Sequence, residues 1–248
     1  DLLALYSFTG GVAKYVQLLV DAGATTKTKM LNHIIKADSV FLGEGKAILI
    51  EEFGKDYGVY FSILSAIARG KTLRSEIEQI VGREIGGYLT KLEKEYEVIT
   101  KNQPIFEKSS TKNVRYTIED NFFSFWFRFI YKYNYMLEIE NYDAVKTIIN
   151  RDYETFSGKM LERYFKRVLM ESKAYTRIGS WWDRKGENEI DIVAENELND
   201  EAVFIEVKRK EENFDAEALG EKVAIFTRAT GKFKDYTVSQ KGLSMTDM

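Results

Sequence analysis

The pattern of hydrophobic and polar positions divides the chain into a helical first part and a mixed second part. Apolar residues recur at helical spacing through most of residues 1–155, and they alternate with polar residues only near 98–100 and 115–118. The later pattern runs in the order helix 156–170, strand 174–178, strand 188–194, strand 202–208, helix 216–226 and strand 236–239. The sequence therefore predicts a multidomain α/β chain.

Two of the predicted strands carry charged residues inside apolar runs. Asp191 lies in NEIDIVA, and Glu206 and Lys208 lie in AVFIEVK. Turn-forming residues separate the runs, and a hairpin folded about 198–199 brings Asp191 opposite Glu206. Because side chains alternate along a strand, Lys208 shares a face with Glu206. Two carboxylates and one ammonium group are therefore predicted to meet on one patch.

Such a patch has a chemical use, because carboxylate oxygens hold Mg²⁺, which polarises phosphoryl groups and lowers the pKa of bound water. The spacing resembles the PD-(D/E)XK, or restriction-endonuclease-like, nuclease superfamily, although Ile190 stands where that family has proline. The resemblance implies that Asp191 and Glu206 bind Mg²⁺ or Mn²⁺. It implies that Lys208 positions the attacking water or stabilises phosphate charge. The alternative is a charged hairpin that protects a sheet edge.

The predicted helix at 156–170 supplies a third candidate acid. Its apolar residues share one face, and Glu162 lies between two of these core positions. In the nuclease superfamily a helix before the core strands often carries a third acid of the metal site, and the resemblance extends that role to Glu162. The alternative is a solvated glutamate on an amphipathic helix. Residues 156–248 are thus predicted to form a restriction-endonuclease-like α/β domain.

Residues 55–118 show three helical stretches followed by two short strands, the order of a winged helix-turn-helix. The lysines expected to contact DNA phosphates lie on the third helix and in the loop between the strands: Lys91, Lys94, Lys108 and Lys112. Three glutamates at 93, 95 and 97 dilute the basic face of that helix. A structural or protein-binding role therefore stays open beside DNA binding.

Composition limits the remaining possibilities. The net charge of −3 gives no global attraction to nucleic acid, so any such binding needs a local patch. The absence of cysteine excludes disulfides and thiolate zinc sites and fits a reducing cytoplasm. No segment has the pattern of a signal peptide or a membrane span, so no membrane partner is expected. The aromatic residues that crowd 119–155 are expected to pack as a helical connector between domains.

The order of motifs also resembles a larger family. TGGVAKY at 9–15 is similar to the lid signature of archaeal-type, AAA-like P-loop ATPases, with Ala13 at the usual proline position. In that family a winged helix, a segment like YTIEDNFFSFWFRFIYKY and a nuclease-like tail follow. The resemblance implies that residues 1–54 are a helical lid remnant. It also implies that a nucleotide-binding domain precedes Asp1, so ATP is assigned to that domain and to no residue here.

The leading expectation is a C-terminal ATPase region that binds DNA and hydrolyses phosphodiesters with Mg²⁺. Its partners would be DNA and its own N-terminal ATPase domain, with a homo-oligomer as a further possibility. A second interpretation is a non-catalytic DNA-binding or regulatory module that docks on the ATPase. A third is a purely structural oligomerisation tail.

Overall fold

The computed structural model describes residues 1–108 and 110–248, and Ser109 of the predicted wing loop lies outside the described residues. The expectation of a mixed α/β chain is confirmed, with one two-stranded and one four-stranded sheet among these residues. The chain divides into two compact units. Unit 1 comprises 1–102 and 115–153, and unit 2 comprises 103–114 and 154–248. No helix in the described ranges is both long and apolar enough to cross a bilayer.

Unit 1 is mainly helical. Its helices are α1 (Leu2–Thr9), α2 (Ala13–Asp21), α3 (Lys27–Ile34), α4 (Val40–Phe53), α5 (Tyr57–Ala68), α6 (Arg74–Val81), α7 (Gly86–Lys94), α8 (Asn121–Phe125), α9 (Asn134–Glu138) and the first part of α10 (Tyr142–Ser172). Strands β1 (Ile99–Asn102) and β2 (Arg115–Ile118) pair antiparallel. The elements α5 to β2 follow the order that the winged-helix prediction requires.

The aromatic segment after β2 forms the core of unit 1. Helix α8 continues into a π-helical stretch at Trp126–Tyr131, where the aromatic residues at 125, 126, 127 and 129 are buried. The indole of Trp126 donates a hydrogen bond to the carbonyl of Leu42 (3.1 Å) and covers Gly45 on α4. A Cβ atom at Gly45 would lie 2.5 Å from that ring. This close packing explains a glycine inside a helix, where glycine otherwise lowers stability.

We expect Gly45→Ala to lower the free energy of unfolding by about 1–3 kcal/mol, because the new methyl group overlaps Trp126. Gly43→Ala is the matched control, since a Cβ there meets no atom within 4 Å. That change should instead stabilise by about 0.5–1 kcal/mol through helix propensity. Denaturant unfolding of both variants measures the difference, and equal effects would contradict the packing argument.

Unit 2 is built on a four-stranded sheet. Its strands are β3 (Arg177–Trp182), β4 (Glu189–Asn196), β5 (Glu201–Val207) and β6 (Thr237–Leu243), ordered β3-β4-β5-β6. The first three pair antiparallel, and β6 runs parallel to β5 after the crossover helix α11 (Ala216–Thr230). Strand β3 begins three residues later than predicted and includes the two tryptophans that the prediction left outside it. Trp181 and Phe226 of α11 are buried in one core with rings 5.5 Å apart.

The loop between β1 and β2 belongs to unit 2, whereas the prediction placed it in the winged helix. Ile105 is buried in the core of unit 2, and its amide donates to the carbonyl of Ser180 on β3 (2.9 Å). A Cβ at Gly179 would lie 2.8 Å from the Ile105 side chain. At the other end of the loop, Asn113 accepts a hydrogen bond from the indole of Trp182 (2.9 Å). The loop therefore packs along the edge strand of the sheet.

Candidate active site

The hairpin of β4 and β5 positions the two candidate metal-binding acids. Ile192 pairs with Ile205, so the next step of the antiparallel ladder brings Asp191 opposite Glu206. The Oδ2 atom of Asp191 accepts a hydrogen bond from the backbone amide of Val207 (2.8 Å). The side chain of Asp191 thus takes the place of a backbone acceptor where the ladder ends, and this bond fixes its direction towards β5.

Glu206 is buried, and two lysines neutralise it. Its Oε1 atom accepts from the ammonium of Lys208 at 2.7 Å and from that of Lys222 at 3.0 Å. Its Oε2 atom lies 3.2 Å from Lys222. A buried carboxylate is costly unless it is paired, so these contacts make the position tolerable in the fold. Lys222 lies on α11 and was not among the residues predicted from the sequence.

Glu162 approaches the same acids from α10. Its Oε2 atom pairs with the ammonium of Lys159 one turn earlier on the helix (3.0 Å). Burial raises the pKa of Glu162 to about 7, in spite of the opposing effect of Lys159 and with a further contribution from the charge of Asp191. Glu162 therefore holds its proton more tightly than an ordinary glutamate, and it interacts electrostatically with Asp191 and Glu189 of β4.

The charges of the cluster depend on one another. Burial raises the pKa of Asp191 against the opposing hydrogen bond from Val207, and the charge of Glu206 raises it further. Burial lowers the affinity of Lys208 for its proton, but the hydrogen bond and charge of Glu206 outweigh this and raise its pKa. The acids thus repel one another while the lysines remain charged. We call Glu162, Asp191, Glu206, Lys159, Lys208 and Lys222 the acid–lysine cluster.

The donor atoms of this cluster fit a hard divalent cation. Asp191 and Glu206 supply the carboxylate oxygens that Mg²⁺ and Mn²⁺ prefer, and burial, with a smaller effect from the charge of Glu206, raises the pKa of Asp191. In the described part of the chain, no three His, Asp or Glu side chains form a ready metal-binding group. A cation held by two protein carboxylates would complete its shell with water and substrate phosphate, as Mg²⁺ commonly does.

The four lysines predicted to contact nucleic acid do not belong to one unit. Lys91 and Lys94 are exposed on α7 of unit 1, and Lys94 pairs with the adjacent Glu93 (3.0 Å). Lys108 and Lys112 are exposed on the loop that packs in unit 2. The loop that was predicted to be a wing thus packs in unit 2 through its hydrophobic residues. Its lysines gave no indication of this packing.

A signal in the sequence could have identified Lys222. It occupies a position three residues after Leu219 and four before Phe226, both of which are buried on the core face of α11. A lysine within an apolar stripe requires a buried or half-buried partner. Lys159 offered a weaker signal, because it lies one turn before Glu162 on a helix with many charged residues.

Comparisons with known proteins reach the same part of the chain. Residues 126–219 match the family DUF234, described as archaeal and bacterial proteins of unknown function. This range contains Glu162, Asp191, Glu206 and Lys208 and ends before Lys222.

The chain is also 31% identical over 226 residues to the uncharacterized protein MJECL04 of Methanocaldococcus jannaschii. That alignment covers 85% of this chain and 48% of the relative. The chain thus spans about half of that relative's length. No solved structure matches the chain.

The pKa of Glu162 predicts a pH-dependent stability. A carboxyl group with a raised pKa in the folded state binds more protons than in the unfolded state, so its contribution to stability is lost as pH rises from about 4.5 to about 7. The variant Glu162→Gln lacks this ionisation and should not show the loss. Its free energy of unfolding, relative to that of the wild type, should therefore rise by on the order of 1 kcal/mol between pH 5 and pH 8. Thermal unfolding at both pH values measures it, and a pH-independent difference would refute the assignment.

Proposed function

We propose that unit 2 is a metal-dependent phosphodiesterase of the restriction-endonuclease-like type that cleaves DNA. The observation that carries this proposal is the acid–lysine cluster at the ends of β4 and β5. Opposed Asp191 and Glu206 and the nearby Lys208 stand there in the order of the nuclease motif. Acids that can hold a metal ion and lysines that can contact a phosphate supply both kinds of charge that phosphodiester hydrolysis uses.

Each residue has a role that follows from its position. Asp191 and Glu206 would hold Mg²⁺ or Mn²⁺, which supplies charge stabilisation of the phosphate and lowers the pKa of bound water. Lys208 binds a phosphate oxygen or orients the attacking water. In the reaction a water oxygen bonds to phosphorus, the bond from phosphorus to the leaving sugar oxygen breaks, and a water proton ends on that oxygen. Glu162, whose pKa is raised by burial, is suited to proton exchange or to indirect support of Asp191.

We further propose that unit 1 contributes a winged helix for DNA binding. The helices α5, α6 and α7 followed by the β1–β2 pair support it, with Lys91 and Lys94 exposed on the third helix. Lys108 and Lys112, which belong to unit 2, are proposed as separate phosphate contacts of that unit. The resemblance of 9–15 to an ATPase lid adds an ATP-hydrolysing domain of the same protein as the proposed intramolecular partner.

A second candidate function is a non-catalytic module that docks on DNA or on the ATPase. The observation that favours it is the complete pairing of Glu206 by Lys208 and Lys222, which makes the cluster stable without any metal. Metal binding separates the two candidates, because a docking module has no need for a divalent cation.

Asp191→Asn tests the phosphodiesterase directly. The change keeps the shape of the side chain but removes the anionic ligand, so Mn²⁺ affinity should fall at least about tenfold and DNA cleavage should be lost. Asp200→Asn is the matched control, since Asp200 lies exposed at the tip of the same hairpin with a positive φ that asparagine tolerates. Calorimetric titration with Mn²⁺ and cleavage of single-stranded, duplex and branched DNA are the measurements. A wild-type chain that binds no Mn²⁺ and cleaves none of these would support the docking module instead.

Charge reversal tests the proposed winged helix. Lys91→Glu together with Lys94→Glu should weaken duplex binding and reduce its salt dependence, because each lost phosphate contact releases about one counterion fewer. Lys46→Glu with Lys55→Glu changes the net charge equally at two other exposed lysines of unit 1. Gel-shift titrations over a salt series measure both pairs. If the two double variants bind equally well, α7 is not the DNA-contacting helix.

A further inference from the structure

Helix α11 does not need Lys222 in order to pack on the sheet. Helix α11 packs on the sheet through Leu219, Val223 and Phe226, and Lys222 occupies the same stripe beside them. Its ammonium group reaches both oxygens of Glu206, at 3.0 and 3.2 Å. An apolar side chain at this position would bury more apolar surface. The lysine instead contacts Glu206, so we look for its function in the acid–lysine cluster.

Two ammonium groups converge on a single carboxylate oxygen. Lys208 and Lys222 both donate to Oε1 of Glu206, although one lysine would neutralise the carboxylate. The side chain of Glu206 is 9% exposed, whereas those of Lys222 and Lys208 are 27% and 38% exposed. The carboxylate therefore lies on the inner side and the two cations on the outer side, where an anion from solvent would approach first.

We propose that Lys222 is a second phosphate-binding residue of the candidate nuclease site, stored on Glu206 when no nucleic acid is bound. This inference rests on the proposed function and names the ligand of a residue outside the acid-x-lysine motif. The pair of ammonium groups around one anionic oxygen is the arrangement that a phosphodiester oxygen requires, since both are charge-assisted donors to an anion. In the free protein Glu206 holds the two ammonium groups close together, and a phosphate oxygen would bind them from the solvent side.

The same geometry gives Lys222 an opposite effect on cations. Its positive charge next to Glu206 competes with a divalent cation for the carboxylate, so its removal should make cation binding easier. A lysine that only fastens α11 to β5 would also compete with a cation for Glu206, but its removal would lower neither the duplex affinity nor its salt slope. Weaker duplex binding with a lower salt slope therefore separates a phosphate-binding role from a structural one.

The experiment compares Lys222→Met, Lys222→Arg and Arg228→Met in the 248-residue chain. Arg228 is exposed on a different face of α11 and controls for the loss of one positive charge from that helix. Fluorescence anisotropy with a labelled DNA duplex in EDTA, over a salt series, gives affinity and the number of phosphate contacts. Calorimetric titration with Mn²⁺ alone gives cation affinity, and thermal unfolding verifies that each variant is folded.

We expect Lys222→Met to weaken duplex binding about tenfold, to reduce the salt slope by about one, and to tighten Mn²⁺ binding several-fold. Lys222→Arg should keep duplex binding within about twofold, because it keeps the charge. Arg228→Met should leave the Mn²⁺ affinity unchanged. If Lys222→Met lowers the melting temperature but leaves duplex affinity unchanged, or if Lys222→Arg binds duplex as poorly as Lys222→Met, the inference is overturned. A wild-type chain that binds neither Mn²⁺ nor duplex refutes the proposed function itself and the inference with it.

Discussion

The buried carboxylate of Glu206 is the constraint on which the arrangement of unit 2 depends. A charged group at this depth must be paired, and the partners come from the chain directly after β5 and from α11. Lys208 alone would neutralise the carboxylate, and the crossover helix adds a second lysine, Lys222, against the sheet. The carboxylate of Asp191 is also largely buried, and it accepts a hydrogen bond from the backbone amide of Val207 at the same end of the hairpin. Fold and candidate chemistry share these contacts.

The charges at this end of the sheet are the reason for proposing a cation and a phosphate as its ligands. The acids Glu162, Asp191 and Glu206 and the lysines Lys159, Lys208 and Lys222 carry equal and opposite charge when all are ionised, and the nearby Glu189 adds one further negative charge. The raised pKa values of Glu162 and Asp191 show that burial disfavours this much charge even so. A divalent cation and a singly charged phosphodiester together would add one net positive charge, which opposes the repulsion among the acids.

The sequence pattern predicted the local structure of unit 2 better than its long-range contacts. The alternation around Asp191 and Glu206 was sufficient for the β4–β5 hairpin and its register, because period and turn residues are local properties. Strand β3 was placed too early, since Gly179 and the paired tryptophans interrupt the alternation. The burial of Ile105 in unit 2 and the contact of Lys222 with Glu206 join residues distant in sequence, and no local period encodes such pairs. Propensity alone could not assign the loop 103–114 to the second unit.

We propose that Asp191 and Glu206 together bind a divalent metal ion at the end of the β4–β5 hairpin. Anomalous diffraction from crystals of the chain grown with Mn²⁺ would detect such an ion. We expect one strong anomalous peak about 2.1 Å from a carboxylate oxygen of each acid, with Lys222 displaced from Glu206. Well-diffracting crystals at millimolar Mn²⁺ that show no peak at these acids, with Glu206 still held by both lysines, would contradict it.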